Sequence, residues 1–203
     1  MPRHKQSPQQ VSAMQDRILD ATFLLLDDLE PEDVSIRKIA DQAHISHMVI
    51  YSYFKDRDEL VKALIHRQEL RMSQKFDEFL ADVDESNILS RLRSALLEYI
   101  EVAKSRPKLF RLLWILPVRL PEKSAHGQRF FEAQIKLLSN LFIKGMERGV
   151  FAQREPEIAA LTILGVINAP MLLFYQGRMA DVHLRDRVIN ETLDIVIHYL
   201  TGK

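Results

Sequence analysis

The chain contains no cysteine among its 203 residues. This excludes disulfides, thiolate nucleophiles and cysteine-ligated metals, and it is what a protein of a reducing cytoplasm would show. Glycine and proline are scarce, with six and eight copies, so low-complexity tracts are excluded as well. The first ten residues contain no apolar run of the kind that a secretory signal peptide requires. We therefore expect a cytoplasmic protein whose residues 1–10 form a flexible arm.

A surplus of positive charge is also absent, because 28 basic residues are balanced by 28 acidic ones. Proteins that bind nucleic acids commonly have a basic surplus. The first 65 residues are even acidic, with eight Lys and Arg against eleven Asp and Glu. Five of these acids lie between positions 27 and 33, however, and residues 35–57 hold four bases and two acids. A locally basic surface on an acidic domain remains compatible with DNA binding, at the cost of weak non-specific affinity.

Helical spacing of the apolar residues extends along most of the chain. From Val11 to Leu25 they recur every three or four positions, which predicts a helix that ends near Asp28. Pro31 and the surrounding acids then interrupt the pattern. Later helices are predicted over about 57–80, 87–104, 107–117, 126–148, 156–176 and 184–201. No segment alternates with the period of two that is typical of strands, so the predicted fold class is all-α.

Two short helices with a tight turn between them are predicted ahead of the long helix. Ser35 is a suitable N-cap for SIRKIADQA, and Ser46 is one for HMVIYSYF. Short helices in this arrangement form a helix-turn-helix, the motif that places its second helix in the DNA major groove. Asp56 and Glu59 then provide a capping-box-like start for the long helix.

Residues 17–64 resemble the DNA-binding region of the tetracycline-repressor (TetR) family, most specifically at 35–60. Family members typically have a capped helix ending in Ile-Ala, a small turn, a serine and a Leu-Tyr-x-Tyr-Phe string, which reads IYSYF at positions 50–54 here. The resemblance implies a three-helix DNA-binding domain over 11–56. It also implies that the long helix joins this domain to a larger helical domain, residues 57–203, for ligand binding and dimerisation.

The resemblance further implies which side chains contact DNA. The outward residues of the second short helix would read base edges, while Ile50 and Phe54 face inward. Arg37 matches a position that often reaches a base, and its guanidinium suits guanine O6 and N7. Tyrosine hydroxyls and cations around the helix would bind the phosphate backbone. The predicted DNA-binding set is Ser35, Arg37, Ser46, His47, Met48, Val49, Tyr51, Ser52, Tyr53, Lys55 and Arg57.

Two departures from the family pattern affect the turn and the reading helix. His44 replaces a usual glycine, so we expect a positive φ there, which histidine tolerates better than bulkier residues do. Residues 47–49 are His-Met-Val where Lys-Gly-Thr is common, so the operator need not resemble a familiar one. The arm with Arg3, His4 and Lys5 is either a minor-groove contact or a solvated tail.

The larger domain has candidates for an effector site. Its aromatic and apolar side chains would line a pocket for a small apolar or aromatic molecule, or would simply fill the core. Asn168 stands out because a polar group among apolar neighbours needs a hydrogen-bond partner, in the core or at a subunit interface. The predicted ligand-binding set is Tyr99, Phe110, Trp114, Phe131, Gln134 and Asn168.

Residues 158–177 carry no charge and are about as long as a membrane span. Polar residues and a proline interrupt the stretch, so a helix buried in a core or a subunit interface fits better, and we expect no membrane contact. Its small residues would let helices approach closely. In the resembled family the last two long helices form a four-helix bundle, which predicts a homodimer through helices 156–176 and 184–201.

Enzymatic alternatives find little support in the sequence. No histidine follows a glutamate by three positions, as a di-iron bundle would require. His44 with His47 is a weak metal pair, and Glu98 with Glu101 reads as a solvated helix face. We therefore predict no catalytic residue, no cofactor and no metal. The predicted function is a homodimeric repressor released from a palindromic double-stranded DNA operator by a small-molecule effector; a helical adaptor or receptor without DNA binding is the alternative.

Overall fold

A computed structural model describes residues 7–81, 84, 86–116 and 126–202. The predicted arm residues Arg3, His4 and Lys5 lie outside this part of the chain. Regular structure within the described residues is helical, which confirms the all-α fold class. The elements are α1 (Pro8–Asp28), a 3-10 turn (Pro31–Asp33), α2 (Ile36–Gln42), α3 (His47–Ile50), α4 (Arg57–Ala81), α5 (Ile88–Ser105), α6 (Pro107–Trp114), α7 (His126–Glu147), α8 (Pro156–Tyr175) and α9 (Val182–Thr201).

Capping decides where the first helix begins. α1 starts at Pro8, three residues before the start expected from the apolar spacing. Ser7 and Gln10 form a full capping box, in which the Ser7 hydroxyl accepts from the Gln10 amide and the Gln10 side chain accepts from the Ser7 amide. The expected start was wrong because apolar periodicity marks the buried face of a helix and not its cap. Residues 8–10 therefore belong to a helix and not to a flexible arm.

The second short helix, α3, is shorter than the sequence predicts. α3 ends at Ile50, and residues 51–53 form a turn in which the Tyr53 amide donates to the Ile50 carbonyl at 2.9 Å. The expected helix over 47–54 was thus too long. Phe54 still returns to the core, because its amide bonds to the same carbonyl and its side chain is buried.

Backbone contacts divide the chain into two compact units, with the described residues up to Gln68 and those of α6 from Lys108 onward in the first. The core of unit 1 includes Ile18, Ile39, Ile50, Leu60 and Leu64, all completely inaccessible to solvent. α6 adds two buried leucines to this core, Leu109 and Leu112. The unit is therefore larger in packing terms than the predicted functional domain 11–56.

Cations of α6 bind the acidic loop that follows α1. Lys108 Nζ donates to the Asp27 carbonyl at 3.0 Å, and Arg111 bridges Glu30 at 2.8 Å and Glu32 at 2.7 Å. A hydrogen bond from its own backbone, together with Arg111, lowers the pKa of the Glu32 carboxyl. The acids that make the N-terminal sequence negative are thus partly neutralised within the unit.

Unit 2 contains the remainder of α4 with α5, α7, α8 and α9. Its core includes fully buried side chains of α7, α8 and α9, among them Phe142, Ile163 and Leu193. The Phe151 ring covers Gly145 so closely that a Cβ there would lie 2.1 Å from the ring, which only glycine allows.

The predicted start of the last helix at 184 was two residues late, since Asp181 caps α9 by accepting from the amides of residues 183 and 184.

Among the described helices, α8 alone is long and apolar enough to cross a membrane by length and composition, and 44% of its most apolar window is buried. It packs against α7 and α9, and Asn168 and Pro170 lie on its buried face. A core helix of a soluble protein meets the same test. Packing against two neighbours accords with the buried-helix interpretation of this stretch.

Candidate DNA-binding face and effector site

Buried scaffold residues fix the arrangement of α2 and α3. The Ser35 hydroxyl caps α2 by accepting from the Lys38 amide at 3.3 Å, as predicted. Ile39, Ala40 and Ile50 are buried in the core of unit 1, so the opposite faces of both helices point outward. Ser46 is the N-cap residue of α3 but makes no side-chain cap hydrogen bond. Its hydroxyl therefore remains available at the outer surface.

The turn between the two helices depends on a left-handed residue. His44 has a φ of 51°, which confirms the positive φ expected at this position. It is the one non-glycine residue with positive φ in the described part of the chain. The backbone then closes the turn, with the Ile45 amide donating to the Ala40 carbonyl at 3.0 Å. This bond sets the direction in which α3 leaves the turn.

Most of the predicted DNA-binding residues are exposed to solvent. Met48 is 64% exposed and Tyr51 50%, which are high values for such large side chains. Val49 and Tyr53 are half-buried, and Tyr53 packs against the core of unit 1. The other exposed members of the predicted set are Ser35, Arg37, Ser46, His47, Ser52 and Lys55. The Ser52 hydroxyl is engaged locally, donating to the Met48 carbonyl at 3.3 Å.

Arg57 is engaged inside unit 1. Its Nε donates to the Val34 carbonyl at 2.7 Å, and its Nη2 donates to the Pro31 carbonyl. These bonds fasten the start of α4 to the loop before α2. The Asp56 carboxylate accepts from the Glu59 amide at 2.8 Å, and the Glu59 carboxylate accepts from the Lys55 amide, so the predicted cap is formed with a shifted second bond.

Arg37 and Lys55 are the two cations of the predicted DNA-binding set whose side chains are exposed. Among the described residues neither makes an ion pair. Lys38, beside Arg37, donates instead to the Asp33 carbonyl at 3.0 Å. The surface thus offers two uncommitted cations together with hydroxyl, imidazole and thioether side chains.

The polar residues predicted for the effector site include a bonded pair in unit 2. The Tyr99 hydroxyl donates to Asn168 Oδ1 at 2.6 Å, and Asn168 Nδ2 donates to the Leu164 carbonyl at 2.8 Å. Burial raises the pKa of Tyr99. Asn168 is buried in the interior of unit 2. Tyr99 and the Leu164 carbonyl are the hydrogen-bond partners that its apolar surroundings require.

The remaining predicted effector residues divide between the units. Gln134 is buried in unit 2, and its amide contacts the Met72 sulfur at a long 3.9 Å. Phe110 and Trp114 belong to unit 1, where their rings stack with centroids 6.4 Å apart. The side chain of Phe131 lies outside the described residues. The Ser139 hydroxyl, which no sequence motif singles out, is buried without a hydrogen-bond partner among the described residues.

An uncharged stripe runs along the exposed face of α8. Ile158 is 51% exposed, and Leu161, Gly165, Ala169 and Leu173 continue the same face at three- or four-residue spacing. The exposed face of α9 carries Leu184 and Ile195 among charged residues. Exposed apolar faces of this kind occur where proteins bind partners, ligands or membranes, and the homodimer expected through these two helices stays a prediction.

Residues 18–64 match the family described as "Bacterial regulatory proteins, tetR family". This range contains most of α1, the helix-turn-helix and the start of α4. An uncharacterised HTH-type transcriptional regulator of Mycobacterium tuberculosis is 30% identical over 106 residues, which are 52% of this chain and 50% of the relative. The match thus spans about half the length of the curated relative.

Solved structures share the fold over nearly the whole chain. A TetR-family transcriptional regulator from Pectobacterium atrosepticum superimposes with a TM-score of 0.74 at 15% identity, covering 98% of this chain and 99% of that chain. The regulator FadR from Bacillus subtilis, solved in complex with stearoyl-CoA, gives the same TM-score at 15% identity, covering 91% and 98%. At such identity the likeness concerns the fold alone.

Proposed function

We propose that this chain is a DNA-binding transcriptional regulator of the TetR family and that it acts as a homodimeric repressor. The observation that carries the proposal is the exposed surface of α3 and Arg37, mounted on a buried helix-turn-helix scaffold. A reading helix of this type enters the major groove with its first turns. Transcription would be blocked because the bound protein occupies the promoter DNA.

A homodimer would explain both the uncharged stripe of α8 and the expected selection of a single operator sequence. One reading helix contacts too few base pairs to select a single site, whereas two helices about 34–36 Å apart read a palindrome. We propose that the uncharged stripe of α8 and the adjoining face of α9 form the interface, since stripes of the same chain meet symmetrically in a two-fold dimer. Gly165 and Ala169 within the stripe permit close helix approach.

For the effector we propose a small molecule with a large apolar part. The FadR structure contains stearoyl-CoA, whose acyl chain has that character. In this chain the Gln134 side chain and the Ser139 hydroxyl are buried in unit 2 without a strong hydrogen bond in the described residues, and such groups suit the polar end of a ligand. The effector would favour a conformation in which the two reading helices no longer match successive major grooves, so that effector and operator weaken each other's binding.

The first test is a gel-shift assay on DNA upstream of the chain's own gene and on duplexes selected from a random pool. We expect a shift with the wild-type chain, a large loss with Arg37→Ala and a smaller loss with Tyr51→Phe. Leu24→Ala is a matched control, because Leu24 is exposed on α1 outside the predicted contact set. No shift at low salt on any of these DNAs would reject the proposal.

The second test uses a panel of fatty acids, acyl-CoA thioesters and aromatic compounds in a thermal-shift assay. An effector should raise the melting temperature and, when saturating, release the operator. In Gln134→Leu the effector should raise the melting temperature less and release the operator less. Operator binding in the absence of effector should not change. Unchanged operator affinity at saturating effector would contradict the coupling. An adaptor without DNA binding, favoured only by the acidity of the N-terminal sequence, would fail the first test and could pass the second.

A further inference from the structure

Met48 is the most exposed large apolar side chain in the described part of the molecule, at 64%. It occupies the second position of α3, within the turn of a reading helix that approaches base edges most closely. An exposed methionine is not unusual by itself on a protein surface. Its position on this helix is what requires an explanation, because a thioether offers almost no hydrogen-bonding capacity to a base.

The neighbours of Met48 on α3 and in the turn that follows it offer no exposed side chain as apolar as that of Met48. Ile50 is buried, and Val49 is half-buried. His47 and Tyr51 are exposed but polar at their tips, and the Ser52 hydroxyl donates to the Met48 carbonyl. Among the exposed residues of α3, Met48 is therefore the one with a long aliphatic side chain and no competing internal partner.

We propose that Met48 reads the 5-methyl group of a thymine in the major groove, an inference that rests on the proposed DNA-binding function. Thymine is the only base of unmodified DNA that presents a methyl group there, so an apolar side chain distinguishes it from the other three. Methionine is unbranched and flexible, and it adapts to such a contact. The operator should therefore contain a thymine in each half-site whose methyl group contributes to affinity.

The test removes that methyl group from the DNA. An operator is selected from random duplexes with the full chain, and each thymine is then replaced in turn by uracil, which keeps base pairing but lacks the methyl. We expect one position per half-site where the Kd rises about fourfold, or about fifteenfold when both half-sites are changed, as burial of one or two methyl groups predicts. Fluorescence anisotropy at fixed salt measures the Kd.

Protein variants assign the effect to Met48. In Met48→Ala the sensitivity to uracil should vanish, and in Met48→Leu most of it should return. Leu24→Ala, which removes a side chain of similar exposure on α1, should keep the full wild-type sensitivity. Both positions are exposed, so none of the three variants should disturb the fold.

The outcomes separate the two proposals. Operator binding without a uracil-sensitive position, or with a sensitivity that persists in Met48→Ala, overturns the methyl contact and leaves the DNA-binding function standing. Failure to select any duplex overturns both. A methyl-dependent Kd that is lost in Met48→Ala supports the contact directly.

Discussion

At the scale of single residues, His44 carries the conformational demand of the turn. Its φ of 51° strains a side chain with a Cβ, and strain is greatest for β-branched residues. We expect His44→Val to lower the free energy of unfolding by about 1–2 kcal/mol, and His44→Gly or His44→Asn to lower it by less than about 0.5 kcal/mol. Urea denaturation measures the difference. Because His44 is exposed, an equal loss in all three variants would mean that the side chain and not φ matters.

Arg37 and Lys55 should affect DNA binding in different ways. A guanidinium bound to guanine discriminates between bases, so Arg37→Ala should cost about 1–3 kcal/mol on the selected operator and relax the preference at one base pair. A lysine bound to phosphate carries no sequence information, so Lys55→Ala should weaken all duplexes alike. Binding to a set of single-base operator variants checks both. A uniform loss in Arg37→Ala would reassign that residue to the backbone.

Sequence reasoning worked well for residues whose role is local. The cap at Ser35, the left-handed turn at His44 and the buried scaffold positions Ile39 and Ile50 follow from spacing, steric preference and family resemblance. Arg57 is engaged with the carbonyls of residues 31 and 34, more than twenty positions away. Nothing in the local sequence distinguishes an arginine that fastens a loop from one that faces a phosphate.

At the scale of elements, α6 shows why sequence alone could not define the packing units. Its partners in the loop after α1 are about eighty positions away, and periodicity contains no information at that range. We expect Leu112→Ala, in the core of unit 1, to lower the free energy of unfolding by about 2–4 kcal/mol. Arg111→Ala should cost less than about 1 kcal/mol, because its ion pairs are half exposed to solvent.

Urea denaturation followed by Trp114 fluorescence measures both changes, since the single tryptophan of the chain lies on α6. Lys55→Ala is a control for the loss of one exposed cation of unit 1 outside this loop contact. A larger cost for Arg111→Ala than for Leu112→Ala would show that ion pairing and not apolar burial holds α6 in unit 1.

The Tyr99–Asn168 bond joins α5 to α8 within unit 2. Tyr99→Phe removes the donor and leaves a buried amide oxygen unpaired, so we expect a loss of about 1–3 kcal/mol in the free energy of unfolding. In Tyr99→Phe/Asn168→Leu both polar groups are gone, and the loss should be smaller than the sum of the single losses. Additive losses in this double-mutant cycle would show that the hydrogen bond contributes nothing of its own. Operator affinity without effector should not change in any of these variants.

At the scale of the whole molecule, the number of cations available to DNA depends on how many of them already bond to groups of their own unit. Six of its described cations donate to carbonyls or carboxylates of the same unit: Arg17, Lys38, Arg57, Arg67, Lys108 and Arg111. Of the others, Arg37 and Lys55 lie in the predicted contact set. A dimer would then bring roughly four cations without an ion pair, Arg37 and Lys55 of each protomer, to its operator. The total charge of the sequence does not reveal this number.

Few cations at the DNA surface imply a weak dependence of operator binding on salt. Each phosphate neutralised adds about −0.9 to the slope of log K against log salt, so Lys55 on a phosphate in each half of the dimer, with Arg37 on a base, predicts a slope of about −1.8 and a loss of about twelvefold between 50 and 200 mM salt. Lys55→Ala should make the slope shallower by about 1.8 in the dimer, while Leu24→Ala should leave it unchanged.

Deleting residues 2–6 tests the arm: a shallower slope would show that Arg3 and Lys5 bind DNA, and an unchanged one that the arm is a solvated tail. A wild-type slope steeper than about −8 that persists after this deletion would contradict the prediction. It would mean that the internally bonded cations exchange their partners for phosphates. Uncharged contacts such as that of Met48 would then contribute little to affinity.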